Sequence, residues 1–275
     1  MSSLFKVQVV HVGPQKTATT WLHVALTEHP EICTCERDAI HFFDMHTSHG
    51  VDWYHRQFPT SAKGIPFDST PSYGRSPLAP NRIAQYNPKA KILITARDPV
   101  ERAFSHYWHE KKKLRFNYTF DEALKNYDLF ANWIEPGLYA HTAERFLEYF
   151  PREQVHIAFF DDLRSDPQHF LKEILEFIGV DSKFQPEVLE RKINAAGISA
   201  PRTAKFIRKA LGKPTLAPCF RDALIRLRLV PPPEKLSAQS NDFVRELTRI
   251  FLPDIEALEK LTNRELKSWK RHGSE

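Results

Sequence analysis

A short polar segment near the amino terminus has the residue types that hold an anion. Residues 13–20 read GPQKTATT, follow the apolar run 7–12, and precede a helical pattern of apolar residues that begins at Thr19. Backbone N–H groups and the helix dipole favour an anion where a strand passes through a loop into a helix. The sequence therefore predicts a phosphate-binding loop. Lys16 follows Gly13 too closely for the Walker pattern of ATP-binding proteins, which disfavours an ordinary kinase or ATPase.

A second polar segment stands at another expected junction of strand and helix. Residues 95–107 read TARDPVERAFSHY, with Ser105 eight positions after Arg97. An arginine offers a planar fork of donors that matches a phosphate, and a serine two turns into the helix adds a hydroxyl group. Alternatively, Arg97 forms only a surface ion pair with Asp98 or Glu101.

Together and in this order, the two segments resemble the motifs of sulfotransferases that use 3′-phosphoadenosine-5′-phosphosulfate (PAPS). The resemblance implies that Lys16 contacts the bridging oxygen and the sulfuryl group. A positioned ammonium group would stabilise the charge that builds on the leaving phosphate oxygen. The resemblance further implies that the 5′-phosphosulfate is held by Gln15, Lys16, Thr17, Ala18, Thr19 and Thr20, and the 3′-phosphate by Arg97 and Ser105.

The next polar segments concern the acceptor. Residues 41–44 (HFFD), 48–54 (SHGVDWY) and 70–73 (TPSY) resemble the corresponding stretches of heparan sulfate sulfotransferases. Those enzymes carry a catalytic glutamate where this chain has Ala39, and some carry a lysine where it has Ser69.

The general base therefore cannot be copied from the resemblance. We rank His41 first, because histidine titrates near neutral pH and His41 aligns with a residue that lines the family's active site. A role for His41 in orienting the substrate is an equal alternative. The other candidates are Asp38, Glu36, Asp68 and His11, of which His11, at the end of a strand, is more typical of a structural histidine.

A basic stretch late in the chain is where the resemblance places a segment that closes over the nucleotide. Arg202 is the candidate for a further phosphate ligand, and Lys192 and Asn194 precede it. A solvated basic surface is the alternative reading. The aromatic residues Trp53, Tyr54 and Phe58 are expected in the core, with stacking on a sugar or aromatic acceptor as the alternative.

The elements that would position these residues alternate between strand and helix, which predicts an α/β fold with a P-loop-like central parallel sheet flanked by helices. We expect one domain over residues 1–275, with a basic loop and helical segment at 183–240 near the cleft and a closing helical region at 241–270. The patterns predict strands at 7–12, 64–68, 91–96 and 155–160, helices at 51–58, 167–177 and 241–261, the last kinked or split at Pro253, a loop at 195–201 and a rigid connector at 231–233.

Composition narrows the class of protein without choosing a function. The chain is 41% hydrophobic and 27% charged, which is typical of a globular domain. Cys33, Cys35 and Cys219 are odd in number and lack paired CxxC spacing, so we expect neither a disulfide framework nor a metal site. With no signal-like segment, the expected location is the cytoplasm, and the end of the chain resembles bacterial sulfotransferases.

The sequence thus favours transfer of a sulfuryl group from PAPS to a hydroxyl group, less readily an amine, of a carbohydrate or small metabolite. No metal, nucleic acid or membrane is expected as a partner. A P-loop-type small-molecule kinase, a basic nucleic-acid-binding module, suggested by the net charge of +5, and a sulfotransferase-like scaffold without activity are the alternatives.

Overall fold

The computed structural model of the protein describes residues 5–35, 39–59, 64–111, 119–120, 122, 125, 131–190, 236 and 241–270. The strands are β1 (Val9–Gly13), β2 (Ile32–Thr34), β3 (Ile65–Ser69), β4 (Lys91–Ala96) and β5 (Val155–Phe159). The α-helices are α1 (Thr19–Glu28), α2 (Val51–His55), α3 (Ala79–Tyr86), α4 (Pro99–Lys111), α5 (Tyr139–Leu147), α6 (Phe160–Ser165), α7 (Pro167–Ile178), α8 (Asn241–Thr262) and α9 (Lys267–Lys270).

The strands form one sheet in the order β2-β3-β1-β4-β5, and each neighbouring pair is parallel. The chain goes from β1 to one side of the sheet and later crosses to β4 on the other side. Such a change of direction leaves a crevice at the carboxyl ends of the central strands, which is where open α/β sheets bind ligands. The predicted central parallel sheet is confirmed.

Alternate residues of the strands face two separate cores. Val10 and Ile92 belong to the core that also contains buried residues of α4, α5 and α8, whereas Val9 and Leu93 belong to the core formed with α1 and α7. A strand with apolar residues on both sides requires helices on both faces of the sheet. The continuous apolar runs in the sequence therefore correspond to strands that have helices packed on both faces.

The last long helix corrects one expectation. The sequence analysis allowed the helix to be split at Pro253. A split is wrong, because α8 is a single helix with Pro253 inside it. A proline within a helix costs about 3 kcal/mol, through the lost hydrogen bond and a steric clash. Leu247, Phe251 and Ile255 lie on both sides of the proline and are all buried, so packing of this face offsets the cost.

Polar contacts connect this carboxyl-terminal region to the sheet. The carboxylate of Asp254 accepts hydrogen bonds from the backbone N–H groups of Ala140 and His141 at the start of α5, at 3.1 and 2.9 Å. The indole N–H of Trp269 donates to Asp161, in the helix α6 that follows β5, at 2.7 Å. The predicted closing helix therefore packs as part of the same unit in the described residues.

Several boundaries differ from the sequence pattern. The first strand begins at Val9 rather than at residue 7, and β5 ends at Phe159 because Phe160 begins α6. The sequence analysis did not predict β2, α3, α5 or α6. The predicted loop at 195–201, the connector at 231–233 and nearly all of the segment 191–240 lie outside the described residues, so these remain predictions. Of the helices that the structure describes, none has the length and apolar character needed to cross a bilayer.

Candidate active site

The loop between β1 and α1 adopts an unusual backbone conformation at the carboxyl edge of the sheet. Gly13, Lys16 and Ala18 have φ values of +93°, +74° and +67°. A Cβ atom on Gly13 would overlap the backbone of Pro71, so only glycine allows the two segments to approach so closely. The candidate cofactor loop therefore lies directly against residues 70–73 of the candidate acceptor side.

The start of α1 offers donors that no side chain caps. Ala18 occupies the N-cap position and has no side-chain hydrogen bond to the helix, so the first backbone N–H groups are available to an anion. The Thr20 side chain is exposed and Thr19 is half-buried, and neither hydroxyl group bonds to another described residue. The exposed Gln15 and the half-buried Lys16 border the same loop.

Thr17 differs from its neighbours because its side chain is fully buried. Its hydroxyl group donates to the carbonyl of Pro14 at 2.6 Å and lies 2.5 Å from the hydroxyl oxygen of Thr95. A hydroxyl group has a single proton, so Thr95 must donate to Thr17. The Thr17 side chain thus shapes the loop, and its backbone N–H is the group that remains suited to a phosphate.

This buried hydrogen-bond chain continues to His11. Its Nε2 lies 3.0 Å from the Thr95 hydroxyl and its Nδ1 lies 2.9 Å from the Ser69 hydroxyl. Burial, followed by the charge of His23, lowers the pKa of His11 to about 3, so the ring is neutral at pH 7. His11 therefore links β3, β1 and β4 beneath the loop, which favours its structural reading over a role as the base.

Arg97 joins the second motif to the first. Its guanidinium donates to the carbonyl oxygen of Lys16 at 3.4 Å and forms an ion pair with Glu101 at 2.8 Å. It also lies 4.8 Å from the ring centroid of Phe160, just after β5. The ion pair of the alternative reading therefore forms, and the guanidinium also reaches the loop, so binding of the 3′-phosphate by Arg97 stays a prediction. Asp98 supports this position by accepting two backbone N–H groups at the start of α4.

Arg102 and His106 are site residues that the sequence analysis did not single out. Arg102 is fully buried, and it donates to the carbonyl oxygens of Gln15, at 3.5 Å, and of Trp133. Burial first, and then the charges of Arg102 and Lys16, lower the pKa of His106 to about 2, which keeps this imidazole neutral beside the loop. Their place in the sequence could have indicated this role, because both residues follow Arg97 within the second motif and lie on α4.

Ser105 lies on α4 and is half-buried. Its hydroxyl group bonds to no other residue that the structure describes, so it stays a candidate ligand for the 3′-phosphate. Arg202, Lys192 and Asn194 lie outside the described residues, so their predicted place near the nucleotide remains a prediction.

On the acceptor side, His41 is held by two polar side chains. Its Nδ1 lies 3.0 Å from Ser72 Oγ and 3.2 Å from Asp44 Oδ2, and Ser72 Oγ donates to the same Asp44 oxygen at 2.5 Å. The Ser72 proton is committed to Asp44, and a carboxylate can only accept, so Nδ1 of His41 carries a proton. The lone pair of the neutral ring is therefore on Nε2, and the side chain is 32% exposed.

The other candidate bases divide into two groups. Asp38 and Glu36 lie outside the described residues, although Ala39, two positions before His41, is described as half-buried. Asp68 is fully buried at the end of β3 and is surrounded by hydroxyl groups.

Tyr54 and Phe58 are buried in the core as expected, and Trp53 packs against it. Within the described ranges, no group of side chains has the composition of a metal site.

The arrangement of loop, sheet and helices defines the class of protein, and comparison with known sequences agrees. The sequence profile of the family described as "Sulfotransferase domain" matches residues 6–213. The chain belongs to the sulfotransferase family.

Curated relatives match more than half of the chain. It is 34% identical over 195 residues to the mouse bifunctional heparan sulfate N-deacetylase/N-sulfotransferase 4, and 33% identical over 189 residues to the human enzyme numbered 3. Each alignment covers 62% of this chain and 22% of the relative. The chain thus corresponds to about a fifth of these longer proteins.

Solved structures show the same fold. A sulfotransferase from Alicyclobacillus acidocaldarius superposes with a TM-score of 0.72 at 25% identity, covering 98% of this chain and 100% of that one. Mouse sulfotransferase SULT7A1, solved in complex with PAP, superposes with a TM-score of 0.54 at 14% identity, covering 97% and 88%. The predicted P-loop-like architecture is confirmed.

Proposed function

We propose that the protein binds PAPS at the carboxyl ends of β1 and β4 and transfers its sulfuryl group to a carbohydrate or small-metabolite acceptor. The observation that carries this proposal is the contact of the Arg97 guanidinium with the carbonyl oxygen of Lys16. It joins the candidate 3′-phosphate site to the candidate 5′-phosphosulfate loop. One nucleotide with phosphates at both ends can therefore span the two motifs.

The donor atoms suit such a ligand. The uncapped start of α1 presents backbone N–H groups, and Thr19 and Thr20 add hydroxyl groups. An arginine has five N–H donors, and the contacts of Arg97 with Glu101 and Lys16 use three of them. We assign the remaining donors, with the Ser105 hydroxyl, to the 3′-phosphate. Arg202 is proposed as an additional ligand from the late basic segment.

In the proposed reaction, an acceptor oxygen or nitrogen attacks sulfur while the bond from sulfur to the bridging phosphate oxygen breaks. Negative charge develops on that leaving oxygen, and we assign the Lys16 ammonium to it. The acceptor proton passes to Nε2 of His41, whose Nδ1–H is held by Ser72 and Asp44. The products are the sulfated acceptor, adenosine 3′,5′-bisphosphate (PAP) and a protonated His41. Asp38 stands as the alternative base.

The relatives' names bear on the acceptor. They describe enzymes of heparan sulfate that sulfate nitrogen, which supports a carbohydrate acceptor and brings an amine alongside the hydroxyl group that the sequence favoured. We test these choices with PAPS labelled with radioactive sulfur, offered with hydroxylated sugars, amino sugars and phenols. Label is expected on at least one sugar class, in the presence of EDTA and without added Mg²⁺. Transfer of phosphate from labelled ATP with Mg²⁺ would support the kinase alternative instead.

The proposed base gives a pH-dependent prediction. For the wild type, kcat/KM is expected to rise with pH, because only the neutral imidazole of His41 can accept the acceptor proton. His41→Ala should remove this rise and lower kcat/KM about 10²–10⁴-fold at the high-pH plateau. The measurement is a pH profile of kcat/KM for both proteins.

Two further variants separate the alternatives for that profile. Asp68→Asn should keep the rise even where it lowers kcat/KM, because the fully buried Asp68 carboxylate does not accept the proton in this account. Asp38→Asn should also keep it. If Asp38→Asn abolishes turnover while PAP still binds, a carboxylate is the base and His41 positions the substrate.

We also propose that the protein works in a bacterial cytoplasm and needs no metal. Cys33 and Cys35 are both buried thiols, which suits a reducing compartment. The bacterial structure cited above superposes over nearly the whole chain. Cell fractionation and the EDTA arm of the transfer assay test the two parts separately.

A further inference from the structure

A fully buried carboxylate lies at the end of β3, beneath the acceptor side. Asp68 accepts hydrogen bonds from the hydroxyl groups of Thr70 at 2.7 Å, Tyr54 at 2.8 Å and Tyr73 at 3.1 Å. Burial, followed by the Asp68 charge, raises the pKa of both tyrosines well above the ordinary value, so both remain donors. The protons of all three hydroxyl groups therefore point at Asp68.

Two of these hydroxyl groups have a second function in the structure. The Thr70 oxygen accepts the backbone N–H of Ile40 at 3.1 Å, and the Tyr73 oxygen accepts those of Phe42 at 2.9 Å and Phe43 at 3.3 Å. Because their protons are committed to Asp68, the oxygens present lone pairs to the backbone. The N–H groups on both sides of His41 are thus fixed by residues that Asp68 orients.

His41 itself has a backbone conformation that needs such support. Its φ is +57° and its ψ is +30°, in the left-handed region that costs a non-glycine residue roughly 1–2 kcal/mol. Ser72, which lies between Thr70 and Tyr73 in sequence, holds the ring of His41 at Nδ1. Residues 70–73 therefore fix both the backbone and the side chain of His41.

The carboxylate is costly at neutral pH. Burial raises the pKa of Asp68 to about 6, in spite of the three hydroxyl donors, and the charge of Asp44 adds to the rise. Between the ordinary value near 4 and about 6, the folded protein binds more protons than the unfolded chain, so stability falls as the pH rises through this range. Titratable groups whose pKa is shifted by burial cluster at functional sites, which agrees with a role for Asp68 on the acceptor side.

We propose that Asp68 is a positioning residue for the acceptor side. Through the Thr70 and Tyr73 hydroxyl groups it holds the turn that contains His41, and it thereby sets the direction of the His41 imidazole. This inference rests on the proposed function, in which Nε2 of His41 accepts the acceptor proton. Asp68 touches no reacting atom in this account.

Two tyrosines provide a matched test. Tyr54 and Tyr73 are both fully buried and both donate to the same Asp68 oxygen, but only Tyr73 also accepts N–H groups next to His41. Tyr73→Phe should lower kcat on the order of 10–100-fold, as expected when a catalytic group is misplaced. Tyr54→Phe should change kcat less than about twofold. Neither variant should change the affinity for PAP.

A second measurement does not depend on activity. Nitrogen NMR of the histidine rings should show His41 with its proton on Nδ1 in the wild type and in Tyr54→Phe. Tyr73→Phe should shift the signals toward a mixture of the two tautomers. If Tyr73→Phe fails to fold, Thr70→Val removes the acceptor of the Ile40 N–H and should give the same shift, whereas Thr70→Ser should retain the wild-type signals.

The inference is overturned if Tyr73→Phe and Tyr54→Phe lower kcat equally, or if the His41 signals of folded Tyr73→Phe or Thr70→Val match the wild type. A wild type without any transfer activity would refute the proposed function. The NMR comparison would still decide whether Asp68 positions His41.

Discussion

Replacing Lys16 with alanine is expected to lower turnover by about 10²–10³-fold, the effect typical of removing one donor to a developing oxyanion. Lys16 lies in the loop between β1 and α1 with a φ of +74°, and its carbonyl oxygen is held by Arg97. We assign its ammonium to the leaving oxygen, where negative charge develops as the sulfur–oxygen bond breaks. PAP affinity should fall less than about tenfold, because the uncapped N–H groups at the start of α1 also bind the charge of its 5′-phosphate.

The measurement is single-turnover transfer from labelled PAPS, with PAP affinity determined in parallel. Lys6→Ala is a matched control, since Lys6 is an exposed lysine just before β1, at the amino end of the same strand. It should leave both quantities unchanged. Unchanged turnover in Lys16→Ala at saturating acceptor would refute the assigned role, and a loss confined to PAP affinity would make Lys16 only a binding residue.

The second large effect is expected from Arg97→Ala, which should weaken PAP binding by about 10–150-fold, as for loss of a charge-assisted hydrogen bond worth roughly 1.5–3 kcal/mol. AMP lacks the 3′-phosphate, so its weaker affinity should change less than about threefold. The variant should therefore lose most of the preference for PAP. Calorimetric titration of both nucleotides measures the two affinities directly.

Arg164→Ala is the control for that experiment. Arg164 also reaches Glu101, at 3.5 Å, and the Phe160 ring, at 5.8 Å, but it has no contact with the loop at Lys16 among the described residues. It should keep the preference for PAP. If Arg97→Ala keeps it as well, the 3′-phosphate site lies elsewhere, and Arg97 serves only its ion pair with Glu101.

The sequence was most informative where the whole pattern of an element lies within one continuous segment of the chain. Lys91–Ala96 was predicted with its observed bounds, because a strand buried on both faces is an unbroken apolar run. Helix α7 was nearly as clear, since Gly179 ends it with a φ of +90°. The strand β2 has only three residues and the helix α6 six, too few for a period to appear.

The site was predictable as a set of residues but not as a set of contacts. The motifs placed Lys16 and Arg97 at two strand ends, and the parallel sheet then brings those ends together. The use of the Thr17 hydroxyl within the protein, the burial of Arg102 and the three donors around Asp68 depend on contacts between residues distant in sequence. No local pattern encodes such contacts, so they became visible only in the fold.

The measurement that tests the central claim most directly is the melting temperature of the wild type with PAP and with AMP. At a concentration of about 100 times the dissociation constant, PAP should add about 2.7 kcal/mol of stability. For a chain of this size that corresponds to a rise of roughly 5–10 °C. AMP at the same concentration should give a much smaller rise, because Arg97 and Ser105 then have no phosphate to bind. An equal rise with PAP and AMP, or none with either, would contradict the assignment of a site for PAPS at the carboxyl ends of β1 and β4.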